Sequence, residues 1–430
     1  IRRQAMYLVQ NYDIDGIHFD RIRTPGPEYS YDPISQARKA GAGNPHNLNH
    51  ADWTRDQITR LLRDLYAQIN EVKPHVKVSS SPLGLYTGAS YSSYGYPQSA
   101  CGFQYGYSCV YQDAQGWLQA GAHDFIVPQI YWADPPYRTA NPNFSEVLPD
   151  WVAHAYGRHV YAGQNTTSGG TGVDPADTAQ RRVEALISQV NATRTLGGHG
   201  NVIFSYGSFN NDSAGGNFWD DYTGPNGPYA TPASVPEMPW KTNPTTAIIL
   251  GEITDHHGDP VVDAHVTRSG SSYVALSSAD GLYSFLLVPP GTYQLTVSKA
   301  GYETRQVTVT VAAGQVLRRN ITIVPPSSGP VIALDVAKID KTVDVGLDAT
   351  KDVFHVSNIG ASGSSLSYSI VSSTAWLSVS PSLGVLGDSG SAEITATYST
   401  ADLAPGLYTA QILVMDPGAS NSPRQIDVRV

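Results

Sequence analysis

With 430 residues, 41% of them apolar and only 15% charged, the chain is long enough for two to four domains with real cores. A formal charge of −10 without any Lys/Arg cluster argues against nucleic acid or an anionic membrane as partner. There is no run of about 18 apolar residues, so no membrane-spanning helix is expected.

The 26 Tyr, with abundant Gly, Pro, Ser and Thr, suit an extracellular protein that handles a neutral polymer. Cys101 and Cys109 flank a Gly/Tyr-rich loop and are expected to close it with a disulfide, as secreted proteins do. The chain opens at Ile1 inside a helix-like run, so further residues are expected upstream, and an export signal is compatible with that.

Residues 1–12 read as a helix feeding the strand Ile14–Asp20. On that strand Gly16, His18 and Asp20 face one way and Ile17 and Phe19 the other. Such a strand suits a barrel wall, with its greasy side under helices and Asp20 at the carboxyl end, where parallel α/β barrels place their chemistry. Asp20 as a loop cap is the plainer alternative. A long Pro-containing loop, 21–52, follows.

Ile58, Leu61, Leu62, Leu65, Tyr66 and Ile69 form one helical stripe, with Asp52 as the expected cap and Pro74 as the stop. Then come a strand at Val76–Gly84, a tyrosine-rich loop over 85–111 and a short helix at Ala114–Ala120. The next strand, Phe125–Trp132, is interrupted by Pro128. A helix at Glu146–Tyr156 precedes the strand His159–Asn165. A second clear helix, opened by Asp174-Pro175 and ended by Gly197, precedes the strand Asn201–Phe209.

Five strands alternating with helices predict a parallel α/β fold over residues 1–242. Residues 210–245 read as an irregular wrap. Short alternating runs then predict two immunoglobulin-like β-sandwiches, 246–324 and 331–430, joined by the stiff linker Pro325–Pro330.

The stretch Tyr12-Asp-Ile-Asp-Gly-Ile-His-Phe-Asp-Arg21 resembles the glycosyl-hydrolase-like family ten. So do Val72-Lys-Pro-His-Val-Lys-Val-Ser79, Ser81-Pro-Leu-Gly84, Trp117-Leu-Gln-Ala-Gly121, Asp124–Trp132 and Phe204-Ser-Tyr-Gly-Ser208. The resemblance implies a (β/α)8 TIM-like barrel of which strands four to eight are present, some members acting on peptidoglycan glycan strands. The family often carries a second Asp after the strand-four Asp, and Arg21 stands there. Residues 247–324 look like a carboxypeptidase-regulatory-like module, in Asp280-Gly-Leu-Tyr-Ser-Phe285 and Pro289-Pro-Gly-Thr-Tyr293. The tail looks like a BACON-type module, in Trp376-Leu-Ser-Val-Ser-Pro381.

Glycosidic hydrolysis needs two carboxyl groups. Asp20 is the first candidate. Asp134, just past the carboxyl end of a strand, is the second, although Asp134-Pro135-Pro136 also reads as a turn. Asp15 and Asp124 sit at strand beginnings and read as structural. His18 beside Asp20, together with Gln129, Tyr131, Trp132 and Tyr86, is a candidate glycan contact, because sugar C–H faces stack on aromatic rings. The same tyrosines could equally glue a long loop to the barrel.

His46 and His50 are spaced i, i+4 but lie in a loop without a Glu, a poor metal pair. Neither a metal nor a cofactor is expected. The sequence thus predicts a secreted glycoside hydrolase acting on a glycan polymer. The alternative is a non-catalytic extracellular protein that assembles into oligomers through sandwich edges.

Overall fold

The computed structural model describes residues 1–96, 101, 105–139, 141–166, 179–207, 218–325 and 329–430. The chain divides into two compact units. One holds residues 1–248 with 285–290 and 312–316, and the other holds the remainder.

In the first unit, α1 (Arg2–Asn11) leads to β1 (Gly16–Asp20). Helix α2 (Pro33–Ala40) lies inside the segment expected to be loop. Asp32 caps it, accepting the Ser35 N–H at 3.0 Å, and Pro33 opens its first turn. None of its residues is buried, so it carries no apolar stripe to read.

Helix α3 (His50–Val72) buries Leu62, Leu65, Tyr66 and Ile69 as the periodicity requires. Its cap is Asn49, whose side chain accepts the Asp52 N–H, and not Asp52 itself. Asp52 stands in the first turn and pairs with Arg55 at 2.6 Å. There follow β2 (Lys77–Ser81), a 3-10 turn at Ala89–Tyr94, α4 (Gly106–Cys109), α5 (Ala114–Gln119) and β3 (Phe125–Ile126).

Strand β3 is far shorter than the expected Phe125–Trp132. Pro128 has no N–H to give, and pairing resumes only as single bridges from Gln129 to Leu83 and Gly163. Then come α6 (Phe144–Ala153), β4 (His159–Asn165), α7 (Ala179–Thr195) and β5 (Gly200–Phe204). Among its described residues the wrap contains two short helices, α8 (Phe218–Thr223) and α9 (Pro239–Thr242).

All five strands are parallel, in the order β1-β2-β3-β4-β5. Among the described residues the sheet is open, a half-barrel, and the closed ring of eight strands is not formed. One face, with Val78, Ile126, Val160 and Ala162 fully buried, lies under the helices. The other carries His18, Asp20, Ser79, Ser81, Phe125, Tyr161, Val202 and Phe204 by the two-residue alternation. The stripe of α7, Val183, Leu186 and Val190, packs on Phe218 and Tyr222 of α8. The expected opening of α7 at Asp174-Pro175 and residues 208–209 of the last strand lie outside the described residues.

From Ala247 on, the described residues form two β-sandwiches. The first sandwich comprises the sheet β11-β10-β7-β8 and the sheet β12-β6-β13 with β9 on β6. These strands are β6 (Ala247–Thr254), β7 (His265–Arg268), β8 (Val274–Leu276), β9 (Leu282–Val288), β10 (Gly291–Ser298), β11 (Arg305–Val311), β12 (Val316–Arg318) and β13 (Ile321–Thr322). The second sandwich pairs a four-stranded with a five-stranded sheet around Phe354, Val356, Leu366, Ile394, Ile412 and Ile426.

The amino ends of β2 and β3 meet on a fully buried carboxylate, Asp124. Its oxygens accept the Tyr66 hydroxyl at 2.7 Å, the Val78 N–H at 2.8 Å and the Trp240 indole N–H at 2.8 Å. Lys241 lies 3.3 Å away and Arg158 3.6 Å away. One charge therefore ties α3, β2, the turn before β4 and α9 together. Burial pulls the Lys241 pKa down while Asp124 opposes it. Asp124→Ala should cost about 3–5 kcal/mol, because it strands two buried cations. Calorimetry should show the transition of the first unit falling, and an unchanged melt would refute the hub.

Buried imidazoles set a pH dependence. His123 is fully buried against Trp117 with neither ring nitrogen hydrogen-bonded among the described residues, and burial pushes its pKa down to about 3. Burial first, and then the charge of the neighbouring His199, lower His159 to about 4. The unfolded chain takes up these protons near pH 6.5 and the folded chain does not, so stability falls as pH drops from about 6.5 to 4. His123→Leu should flatten that decline in thermal melts recorded across the window.

Candidate active site

Asp20 ends β1 with its side chain 62% exposed. Its Oδ1 accepts the Ser81 hydroxyl at 3.0 Å, across the in-register pair Asp20–Ser81, and the Arg21 N–H at 2.9 Å. Arg21 turns into the left-handed region, φ 53°, and its Nε lies 3.9 Å from Oδ2. The Arg21 head is 80% exposed, so this pair contributes little to stability but balances part of the carboxylate charge. One step back along the same face, His18 Nδ1 meets the Ser79 hydroxyl at 2.8 Å. Partial burial lowers the His18 pKa, and the charge of Asp20 pulls the other way.

After Pro128, Gln129 returns to the sheet and its amide donates to the Ser81 carbonyl at 3.0 Å. Tyr131 lies within electrostatic reach of Asp20. Burial first, and that charge second, push its pKa up to about 12, so the phenol stays protonated as a donor. Its ring runs nearly parallel to Phe204, 22° apart with centroids at 6.5 Å. Phe204 ends β5 and is 56% exposed. No sequence motif marks it as a site residue, although it ends its strand as Asp20 ends β1.

Trp132 is half-buried. Its ring lies over Gly84, where a Cβ would come 2.8 Å from Cζ3, and its carbonyl accepts the Gln189 amide at 2.8 Å.

Asp134 is engaged elsewhere. Both carboxylate oxygens are taken by Ser145, from the N–H at 2.9 Å and the hydroxyl at 2.6 Å, at the first turn of α6. Its carbonyl also accepts the Tyr137 N–H, which closes the turn through Pro135 and Pro136. This is the capping and turn chemistry of a short acidic side chain.

The tyrosine-rich loop is bound into the fold. Tyr86 donates to Asp113 Oδ1 at 2.6 Å and packs edge-on to Trp151, and burial with the Asp113 charge pushes its pKa far up. Tyr91 and Tyr105 are fully buried, Tyr111 donates to the Pro27 carbonyl, and Arg55 sits 3.8 Å over the Tyr107 ring. Tyr94, 42% exposed, is the one that still shows a sizeable face. Cys101 and Cys109 are disulfide-bonded, with Cα atoms 5.5 Å apart, and pin the same loop.

His50 begins α3, stacks on Tyr31 at 3.8 Å and binds the Tyr29 carbonyl. Among the described residues no group of three or more His, Cys, Asp or Glu could hold a metal ion. Among the described residues no helix is long and apolar enough to cross a membrane.

Comparison with known proteins assigns these regions to families. Residues 1–174 match the family model of glycosyl hydrolase-like 10, 248–324 that of the carboxypeptidase regulatory-like domain and 341–417 that of the viral BACON domain. The three matched stretches follow one another in the order the motifs indicated.

Among curated proteins it is 30% identical over 240 residues to the glycosyl hydrolase YngK of Bacillus subtilis, covering 55% of this chain and 44% of that protein. It is 29% identical over 147 residues to the glycosyl hydrolase DigH of Escherichia coli K12, covering 34% and 31%. The chain therefore spans less than half of either relative. Among solved structures, the ASH / PapD-like domain of human CEP192 matches 23% of this chain and 82% of that chain, at 12% identity and a TM-score of 0.19, too remote to carry any argument.

Asp134→Ala should lower stability by about 1 kcal/mol through the lost cap. Its effect on glycan turnover should be small. A loss of turnover as large as that from replacing Asp20 would return Asp134 to the chemistry.

Proposed function

We propose that the N-terminal unit is a secreted glycoside hydrolase acting on an extracellular or cell-wall glycan, with Asp20 as an essential carboxyl. One observation carries the reading. Asp20 stands open at the carboxyl end of a parallel strand, steadied by Ser81 and flanked by His18, Gln129 and Tyr131. The region belongs to a stretch shared with proteins named glycosyl hydrolases. The disulfide supports an oxidising compartment, and the two β-modules then serve as spacers or anchors.

Hydrolysis needs a partner carboxyl. Asp134 fills that role only by leaving Ser145, which would uncap α6. Asp20, with Tyr131 as a neutral donor nearby, is the group committed to the reacting bond, either attacking the anomeric carbon or activating water.

A second reading has its own support. Arg21 beside Asp20, and Asp134 held on a helix cap, suit a barrel kept as a scaffold. In that case assembly would use an open sheet edge. The strand Leu383–Leu386 is such an edge, with Leu383 and Val385 70% and 69% exposed.

Release of reducing ends from glycan strands by the wild type and by Asp20→Asn separates the two. The hydrolase reading expects a loss on the order of a hundredfold or more. Equal release by both proteins removes Asp20 from the mechanism, and no release with a concentration-dependent rise in mass favours the scaffold.

A further inference from the structure

We infer that Gln112 is a positioning residue for Asp20: its buried side-chain amide bridges the ends of β1 and β2 where their backbone ladder stops, and so fixes where the carboxylate points. This rests on the hydrolase reading above and adds to it the device that aims the central carboxyl.

The β1–β2 ladder runs in register only as far as Asp20 and Ser81. Pro82 has no N–H with which to continue it, and Arg21 turns off the strand with φ 53°. Ile22 and Leu83 stand one residue further along each chain. Gln112 comes between them. Its Nε2 donates to the Ile22 carbonyl at 3.1 Å, and its Oε1 accepts the Leu83 N–H at 2.8 Å. The residue is 1% exposed, so water does not substitute for it.

The gap specifies the residue type. One partner offers only an acceptor and the other only a donor, and a side-chain amide answers both at once. An ionised Glu has no donor, a Lys has no acceptor, and a Met has no strong donor or acceptor. A backbone group left buried and unpaired is costly, so the amide holds the two strand ends at one spacing.

Gln112 is itself held. Its N–H donates to the Gly106 carbonyl at 2.8 Å, and the Gly106 N–H donates to the Leu85 carbonyl at 2.9 Å. Cys109, at the end of α4, is tied by the disulfide. The neighbouring Val110 carbonyl accepts the Thr24 N–H at 3.0 Å. The chain leaving Asp20 is therefore pinned at Ile22 and again at Thr24, both times from residues 110–112. Just inside the amide lies the 3.0 Å bond from the Ser81 hydroxyl to Asp20 Oδ1. If the strand ends part, that bond breaks and the carboxylate turns away from His18, whose pKa the Asp20 charge supports against burial.

The test uses the full 430-residue chain and two variants. Gln112→Met keeps the length of the side chain and removes both hydrogen bonds. Gln112→Glu keeps the acceptor and regains the donor only when its carboxyl is protonated. Circular dichroism and thermal melts establish that each is folded, and two readouts follow: glycan turnover, and the NMR titration of the His18 ring. Folded Gln112→Met should lose about tenfold or more in kcat with KM within about twofold. Its His18 midpoint should fall by roughly half a pH unit as the Asp20 charge moves off. The kcat deficit of Gln112→Glu relative to the wild type should shrink as the pH is lowered, and that of Gln112→Met should not.

An unmoved His18 titration in a folded variant overturns the proposal, as does an unchanged kcat. If Gln112→Met does not fold, the same two readouts on Gln112→Glu at neutral pH decide. Failure of both variants to fold makes Gln112 a folding residue only, and overturns it too. Where the wild type turns over no glycan, or Asp20→Asn turns it over equally well, the hydrolase reading fails. The His18 titration then decides by itself whether Gln112 sets the position of Asp20.

Discussion

The first unit depends on one buried charge. Asp124 gathers a phenol from α3, a backbone N–H from β2, an indole and an ammonium from α9, and the Arg158 guanidinium. A carboxylate with no solvent contact is tolerated only when its lone pairs are filled and its charge is matched, and here both conditions hold. The result is polarity along the strands. Their amino ends are clamped by an ionic knot, and their carboxyl ends are left to loops and solvent. A site at the clamped end would have to break the knot to move, whereas one at the open end inherits a rigid floor.

Three aspartates next to strands of one sheet meet three fates. Asp124 lies at a strand's start and becomes the internal counter-ion. Asp134, past a strand's end, is drawn to the first turn of α6 by Ser145. Asp20 keeps open water on one side and a hydroxyl on the other. Composition makes them identical, and only position along the strand and the reach of neighbours separate them. Their chemistry follows from solvation: a matched, dry carboxylate is inert, a capping one is spoken for, and an open one can act.

Much of the architecture was written in periodicity. The stripes of α3 and α7 and the whole span of β4 follow from side-chain spacing. The failures have physical causes. Helix α2 buries nothing, so no stripe marks it. Pro128 was recognised as awkward, but its effect, stopping β3 after two residues, depends on which neighbours lack a donor. The tyrosine-rich loop has the composition of a sugar platform, and tertiary packing turned most of it inward. Asp124 was read as structural, but its partners could not be named. Trp240 is 116 positions away, and nothing local links the two.

Gly84 shows how the rim is tuned. A methyl group there would stand 2.4 Å from the Gln129 carbonyl and press on Trp132. The strand that Pro128 releases is thus held close by an absence rather than by a bond. Such positions have little freedom to drift. A change that looks trivial by volume would be transmitted sideways into the neighbouring strand, so the shape of this rim is set in part by a residue that has no side chain of its own.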